Sequence, residues 1–138
     1  MYRALAWLIA VLLVAGCAST SSPAPTAGAS QTPGMAATVS VADAAVLRDD
    51  GAIIIDVREP DEWAAGHIPG AILIPLGELP SRLGDVPPHR PIVVVCRSGN
   101  RSAQGRDILI GAGFPAVTSL DGGMNDWAAE GMPIETGG

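Results

Sequence analysis

The sequence predicts an α/β fold, a mostly parallel central sheet with helices on both faces, and three observations lead there. Short apolar runs, Ile53-Ile54-Ile55 and Ile92-Val93-Val94-Val95 among them, alternate along the chain with segments of helical character. The second run is β-branched throughout and bounded by Pro91, the pattern of a strand buried on both faces. Asp56 and Cys96 follow directly on these two runs, at strand carboxyl ends where open sheets place their active residues.

The elements follow in order. Ser40, with Asp43 three residues on, resembles a helix cap, and residues 41–48 carry apolar positions at helical spacing that end near Gly51. A strand at 53–55 leads into Asp56. Pro60 suits a first helical turn, which residues 61–65 continue to Gly66. A short strand is expected at 71–74. Residues 76–83 offer only a weak helical turn, broken by Pro80 and followed by the Pro87-Pro88 loop. The strand from Ile92, a helix at 102–112, a strand at 116–120 and a helix at 124–130 complete the pattern, and no internal repeat is present.

Composition narrows the function. Of 138 residues, eight are basic and 14 acidic, a net charge of -6. Lysine is absent, and every carboxylate lies at or beyond Asp43. Nucleic acid is therefore not an expected partner. Against this acidic background Arg97, Arg101 and Arg106 fall within ten positions, a local positive site.

The N-terminal quarter reads differently. Residues 4–15 are apolar, preceded by Arg3 and followed by Gly16-Cys17, which is the shape of a secretory signal too short to span a bilayer well. Leu13-Val14-Ala15-Gly16-Cys17 is similar to the bacterial lipobox, in which the cysteine is acylated and becomes the new N-terminus. A Ser/Thr/Pro/Ala/Gly tether follows, too polar and Pro-rich to pack. The expected organisation is a signal peptide at 1–16, a lipid-anchored flexible linker at 17–36 and one folded domain at 37–138. The lipid at Cys17 would attach that domain to a membrane of the extracytoplasmic cell envelope.

The chemistry concentrates at Cys96-Arg97-Ser98-Gly99-Asn100-Arg101-Ser102, a cysteine, two arginines and a glycine in one turn between strand and helix. Backbone N–H groups in such a turn can converge on one point. Together with the helix N-terminus and the guanidinium groups they would cradle an anion and favour thiolate over thiol. A purely structural cysteine would want apolar neighbours, whereas this turn is polar and costly to bury without an anion. With Cys17 assigned to lipid, Cys96 is the remaining thiol, and no Cys-x-x-Cys is present to supply a resolving partner. His67 and His89 stand apart from each other and from cysteine, so no metal site is expected.

The cysteine loop resembles that of the rhodanese family of sulfurtransferases. So do Asp56-Val57-Arg58-Glu59-Pro60-Asp61-Glu62-Trp63, Gly66-His67-Ile68-Pro69-Gly70-Ala71, and Leu120-Asp121-Gly122-Gly123-Met124 with Trp127, which occur in the family's usual order and cover nearly everything after about residue 37. The resemblance implies a single-domain rhodanese-like α/β fold and sulfur transfer through a Cys96 persulfide, from a small anionic donor such as thiosulfate to cyanide or a thiol. Cys96 would be the nucleophile, residues 97–102 (Arg97, Ser98, Gly99, Asn100, Arg101, Ser102) would bind the donor, and no cofactor is implied. The chain is expected to act as a monomer.

Other residues leave alternatives open. Asp56 and Arg58 either orient the cysteine loop or pair with each other at a strand end. Glu62 reads as solvated helix surface, His67 as the source of a loop-ordering hydrogen bond, and Trp63 and Trp127 as core. Gly122-Gly123 either leaves room for substrate or supplies a turn with positive φ. Two rival functions stand beside sulfur transfer. A cysteine phosphatase or arsenate-reducing relative also surrounds an anion with cysteine and arginine, but at a spacing of five intervening residues against four here. A non-catalytic envelope sensor or binding module would keep the fold without turnover.

Overall fold

The structure, a computed structural model, describes residues 35–138. The expected signal segment, Cys17 and the linker up to residue 34 lie outside the described residues. The elements in chain order are β1 (Thr38–Val39), α1 (Val41–Asp49), β2 (Ile53–Asp56), α2 (Pro60–Ala65), β3 (Ile72–Leu73), β4 (Ile92–Val95), α3 (Asn100–Gly111), β5 (Val117–Leu120) and α4 (Gly123–Ala129). Two single turns of 3-10 helix, Leu79–Ser81 and Leu83–Asp85, stand where the weak helical turn was expected.

All pairings in the sheet are parallel, in the order β1-β5-β4-β2-β3. The expected α/β class is therefore observed. The two-residue β1 was not expected; Thr38 and Val39 pair with Ser119 and Leu120, held by backbone bonds at both ends. At the start of α1, Ser40 Oγ accepts the Asp43 N–H at 3.2 Å, as the cap pattern predicts.

β4 is central and buried along its whole length, and its alternating side chains feed two separate cores. Val93 and Val95 join Ile54, Val41, Ala44, Ile68, Leu120, Met124 and Trp127 on the face covered by α1 and α4. Ile92, Val94 and Cys96 join Ile55, Val57, Ile74, Leu79, Val86 and Leu109 on the face covered by α3. This alternation fixes which face each functional side chain meets. At Gly105 of α3, an added Cβ would stand 3.0 Å from Val94 and 3.2 Å from Val57, so the missing side chain lets the helix lie close on the sheet beside Cys96.

Candidate active site

Cys96 leaves the carboxyl end of β4 and is 1% exposed. Its sulfur sits on the floor of the loop that joins β4 to α3. Gly99 lies at φ +101° and donates its N–H to Cys96 Sγ at 3.1 Å. A side chain at Gly99 would be strained by that φ and would also meet the Gly122 nitrogen at 3.5 Å. Ser102, fully buried, places Oγ 3.5 Å from the sulfur while donating to the Gly99 carbonyl at 2.8 Å. In the thiol form the Cys96 S–H points to Ser102 Oγ; in the thiolate form the hydroxyl can turn toward the sulfur.

Burial alone would push the Cys96 thiol up. The Ser102 hydroxyl and the backbone N–H groups of Ser102, Ser98 and Gly99 outweigh it, and the thiol lies below its ordinary range. The donors that lower it belong to the loop and the first turn of α3, where N–H groups have no partner within the helix. Of the three contributions the sequence suggests, backbone N–H groups, helix start and guanidinium groups, the first two stand among the leading causes together with the Ser102 hydroxyl.

Arg101 points its Nη1 and Nη2 at the carboxylate of Glu62, each at 2.7 Å. Sequence reasoning placed Glu62 on solvated surface; 39 residues separate the partners, and nothing local in either segment marks the contact. The paired guanidinium holds the Glu62 carboxyl down to about 2, and the carboxylate raises Arg101 in return. Arg97, Ser98 and Asn100 are exposed at the mouth of the loop.

Asp56 and Arg58 resolve in favour of the pair. Asp56 Oδ1 accepts from Arg58 Nε at 2.9 Å and Oδ2 from Nη2 at 2.6 Å, both residues being buried. Although β2 and β4 are neighbours, Asp56 pairs in register with Val95, and side-chain alternation directs it to the face opposite Cys96. The same guanidinium donates to the carbonyls of Glu62 and Gly66 at 3.1 and 2.8 Å. Arg58 thus fastens α2 to the end of β2, and through α2 sets where Glu62 stands.

The loop is also held from behind. The N–H groups of Met124 and Asn125, at the start of α4, donate to the carbonyls of Cys96 and Arg97 at 2.8 and 3.0 Å. A Cβ on Gly123, at φ +60°, would stand 2.3 Å from the Cys96 oxygen. Gly122-Gly123 therefore combines positive φ with close backbone approach and leaves no substrate space at that point. His67 bonds Trp63 O through Nδ1 at 3.1 Å and exchanges backbone bonds with Glu135, which orders its own loop. Trp127 is core, whereas Trp63 is half-buried and stacks on the His67 ring at 3.6 Å.

Comparison with known proteins agrees with this architecture. A family profile described as the rhodanese-like domain matches residues 40–130. A sulfurtransferase of Allochromatium vinosum is 40% identical over 82 residues, covering 59% of this chain and 77% of the relative. The thiosulfate sulfurtransferase GlpE of Pseudomonas entomophila is 37% identical over 98 residues, 71% of this chain and 89% of the relative. The crystal structure of a rhodanese-related protein from Thermoplasma volcanium aligns with a TM-score of 0.66 at 31% identity, over 71% of this chain and 96% of that one. With the matched family spanning most of the folded part, and with fold and relatives in agreement, the chain belongs to the rhodanese-like domain family.

Proposed function

We propose that this protein is a sulfurtransferase that carries a sulfane sulfur on Cys96 and works from the cell envelope, anchored by lipid at Cys17. The observation that carries the reading is the sulfur itself, buried under the N–H groups of Ser98, Gly99 and Ser102 with its thiol lowered. The Cys96 thiolate attacks the outer sulfur of a donor such as thiosulfate. A new S–S bond forms to Cys96, the old one breaks, and its electron pair leaves on sulfite. The terminal sulfur of the persulfide carries the negative charge, which the N–H groups that now surround Sγ would help to hold. A thiophilic acceptor, cyanide or a thiolate, then attacks that outer sulfur and releases the Cys96 thiolate.

Two features support sulfur as the cargo. Only four residues separate Cys96 from Arg101, so the ring of donors is small. Cys96 is also nearly inaccessible in its resting form, and the outer sulfur of a persulfide would stand one bond further out than Sγ for an acceptor to attack. The apolar segment, lipobox-like pentapeptide and Pro-rich tether support the anchor. The test is turnover with thiosulfate and cyanide, followed as thiocyanate, beside hydrolysis of an aryl phosphate. Thiocyanate formation that obeys ping-pong kinetics and is lost in Cys96→Ser is the expected result. Aryl phosphate turnover without sulfur transfer would move the protein to the phosphatase class, and neither activity would favour the non-catalytic module.

A further inference from the structure

The two arginines of the loop are not equivalent. Arg97 is exposed, and its guanidinium has no partner among the described residues. Arg101 is engaged by Glu62 through two parallel short bonds, the strongest geometry available to a guanidinium and a carboxylate. Glu62 is placed independently of Arg101, because its Oε2 accepts the Glu59 N–H at 3.1 Å and its carbonyl accepts from Arg58, itself locked to Asp56. A preset carboxylate therefore stands beside the reactive loop and consumes one of its two positive charges before any anion arrives.

We propose that Glu62 is a positioning residue that fixes and neutralises Arg101, so that Arg97 is the cation that receives the anionic donor and the Glu62–Arg101 pair tunes the charge that Arg101 presents to Cys96. The donor half of this inference rests on the sulfurtransferase reading; the thiol half does not. Arg101 lies within Coulomb range of both Cys96 and Glu59, so its neutralisation acts on the sulfur as well as on the mouth. The other charged groups around it are Arg58, which acts on Glu62 from the turn after β2, Arg97 of the loop, and Asp126 of α4 against Gly122. The loop does not depend on the pair for its shape, since α4 holds the carbonyls of Cys96 and Arg97.

The charge argument gives opposite signs for the two partners. Glu62→Gln releases the Arg101 cation, so the Cys96 thiol should titrate lower by about half a unit, roughly threefold faster alkylation below its pKa, and KM for thiosulfate should fall more than kcat changes. Arg101→Gln leaves the Glu62 anion uncompensated and should shift both quantities the other way. The double variant should return close to wild type in thiol titration. The measurement is the pH profile of iodoacetamide alkylation of full-length wild type and the three variants, with KM and kcat for thiosulfate taken alongside. Glu62→Gln and Arg101→Gln shifting the thiol in the same direction would overturn the proposal, because the pair would then act by shape alone. If Glu62→Gln does not fold, Glu62→Asp keeps the charge and should keep the wild-type profile; a shift toward that of Arg101→Gln would overturn the proposal equally. A wild type that takes sulfur from no donor would remove the sulfurtransferase reading while the alkylation profiles still decide the role of Glu62.

Discussion

Cys96 is lowered by neighbours only two to six residues away, and the balance is between burial, which opposes the thiolate, and four hydrogen-bond donors, which favour it. Ser102 contributes two of those donors and is the residue whose removal is most informative. Ser102→Ala should raise the thiol by about half a unit to one unit, the worth of a hydrogen bond of about 1 kcal/mol. The pH profile of alkylation checks this; an unmoved profile would mean that the backbone donors suffice. The same shift has a consequence for stability. Because the folded thiol lies below its ordinary value of about 8.5, its contribution is fully present above that pH and is lost as pH falls through the folded value. The loop residues were legible in the sequence because a cysteine followed by polar residues and a helix start is a local pattern. The Glu62–Arg101 pair was not, since each residue has an ordinary local reading and only the fold brings them together.

At the scale of elements, the site is a loop held from behind by the start of α4 and met at the Arg101 side chain by the start of α2. α2 reaches it through Glu62, and α4 reaches it through the N–H groups of Met124 and Asn125. The α4 clamp needs a residue without Cβ at position 123. Gly123→Ala should therefore destabilise the domain by more than about 1 kcal/mol and lower activity more than the stability loss explains, because the Cys96 carbonyl must move. Thermal melts and kcat/KM for the variant measure the two effects separately. Helices and strands with clear periodicity, α1, β2, β4, α3 and α4, were legible to within two or three residues. β1 was not, because two residues carry no periodicity and this strand exists through pairing with β5. Strand order escaped as well: the alternation of elements implies parallel strands, but the placement of Asp56 on the face away from Cys96 depends on register. Gly122-Gly123 held a signal for the α4 clamp, and only the geometry separated close backbone approach from open substrate space.

For the whole molecule, the proposed lipid at Cys17 would attach an acidic domain with a buried cysteine to a membrane. Cys17→Ser should leave the protein unprocessed or mislocalised, while the isolated segment 37–138 keeps its sulfur transfer; wild-type protein recovered from bacterial cells without acyl mass would contradict the anchor. The central claim is narrower and belongs to one atom, since every role assigned to the loop, to α2 and to α4 converges on the Cys96 sulfur. Intact-protein mass after incubation with thiosulfate tests it most directly. The account predicts a gain of one sulfur atom per chain, reversed by cyanide and absent in Cys96→Ser. An unchanged mass with thiosulfate and with persulfide donors, from protein whose Cys96 is reduced and alkylates readily, would contradict it.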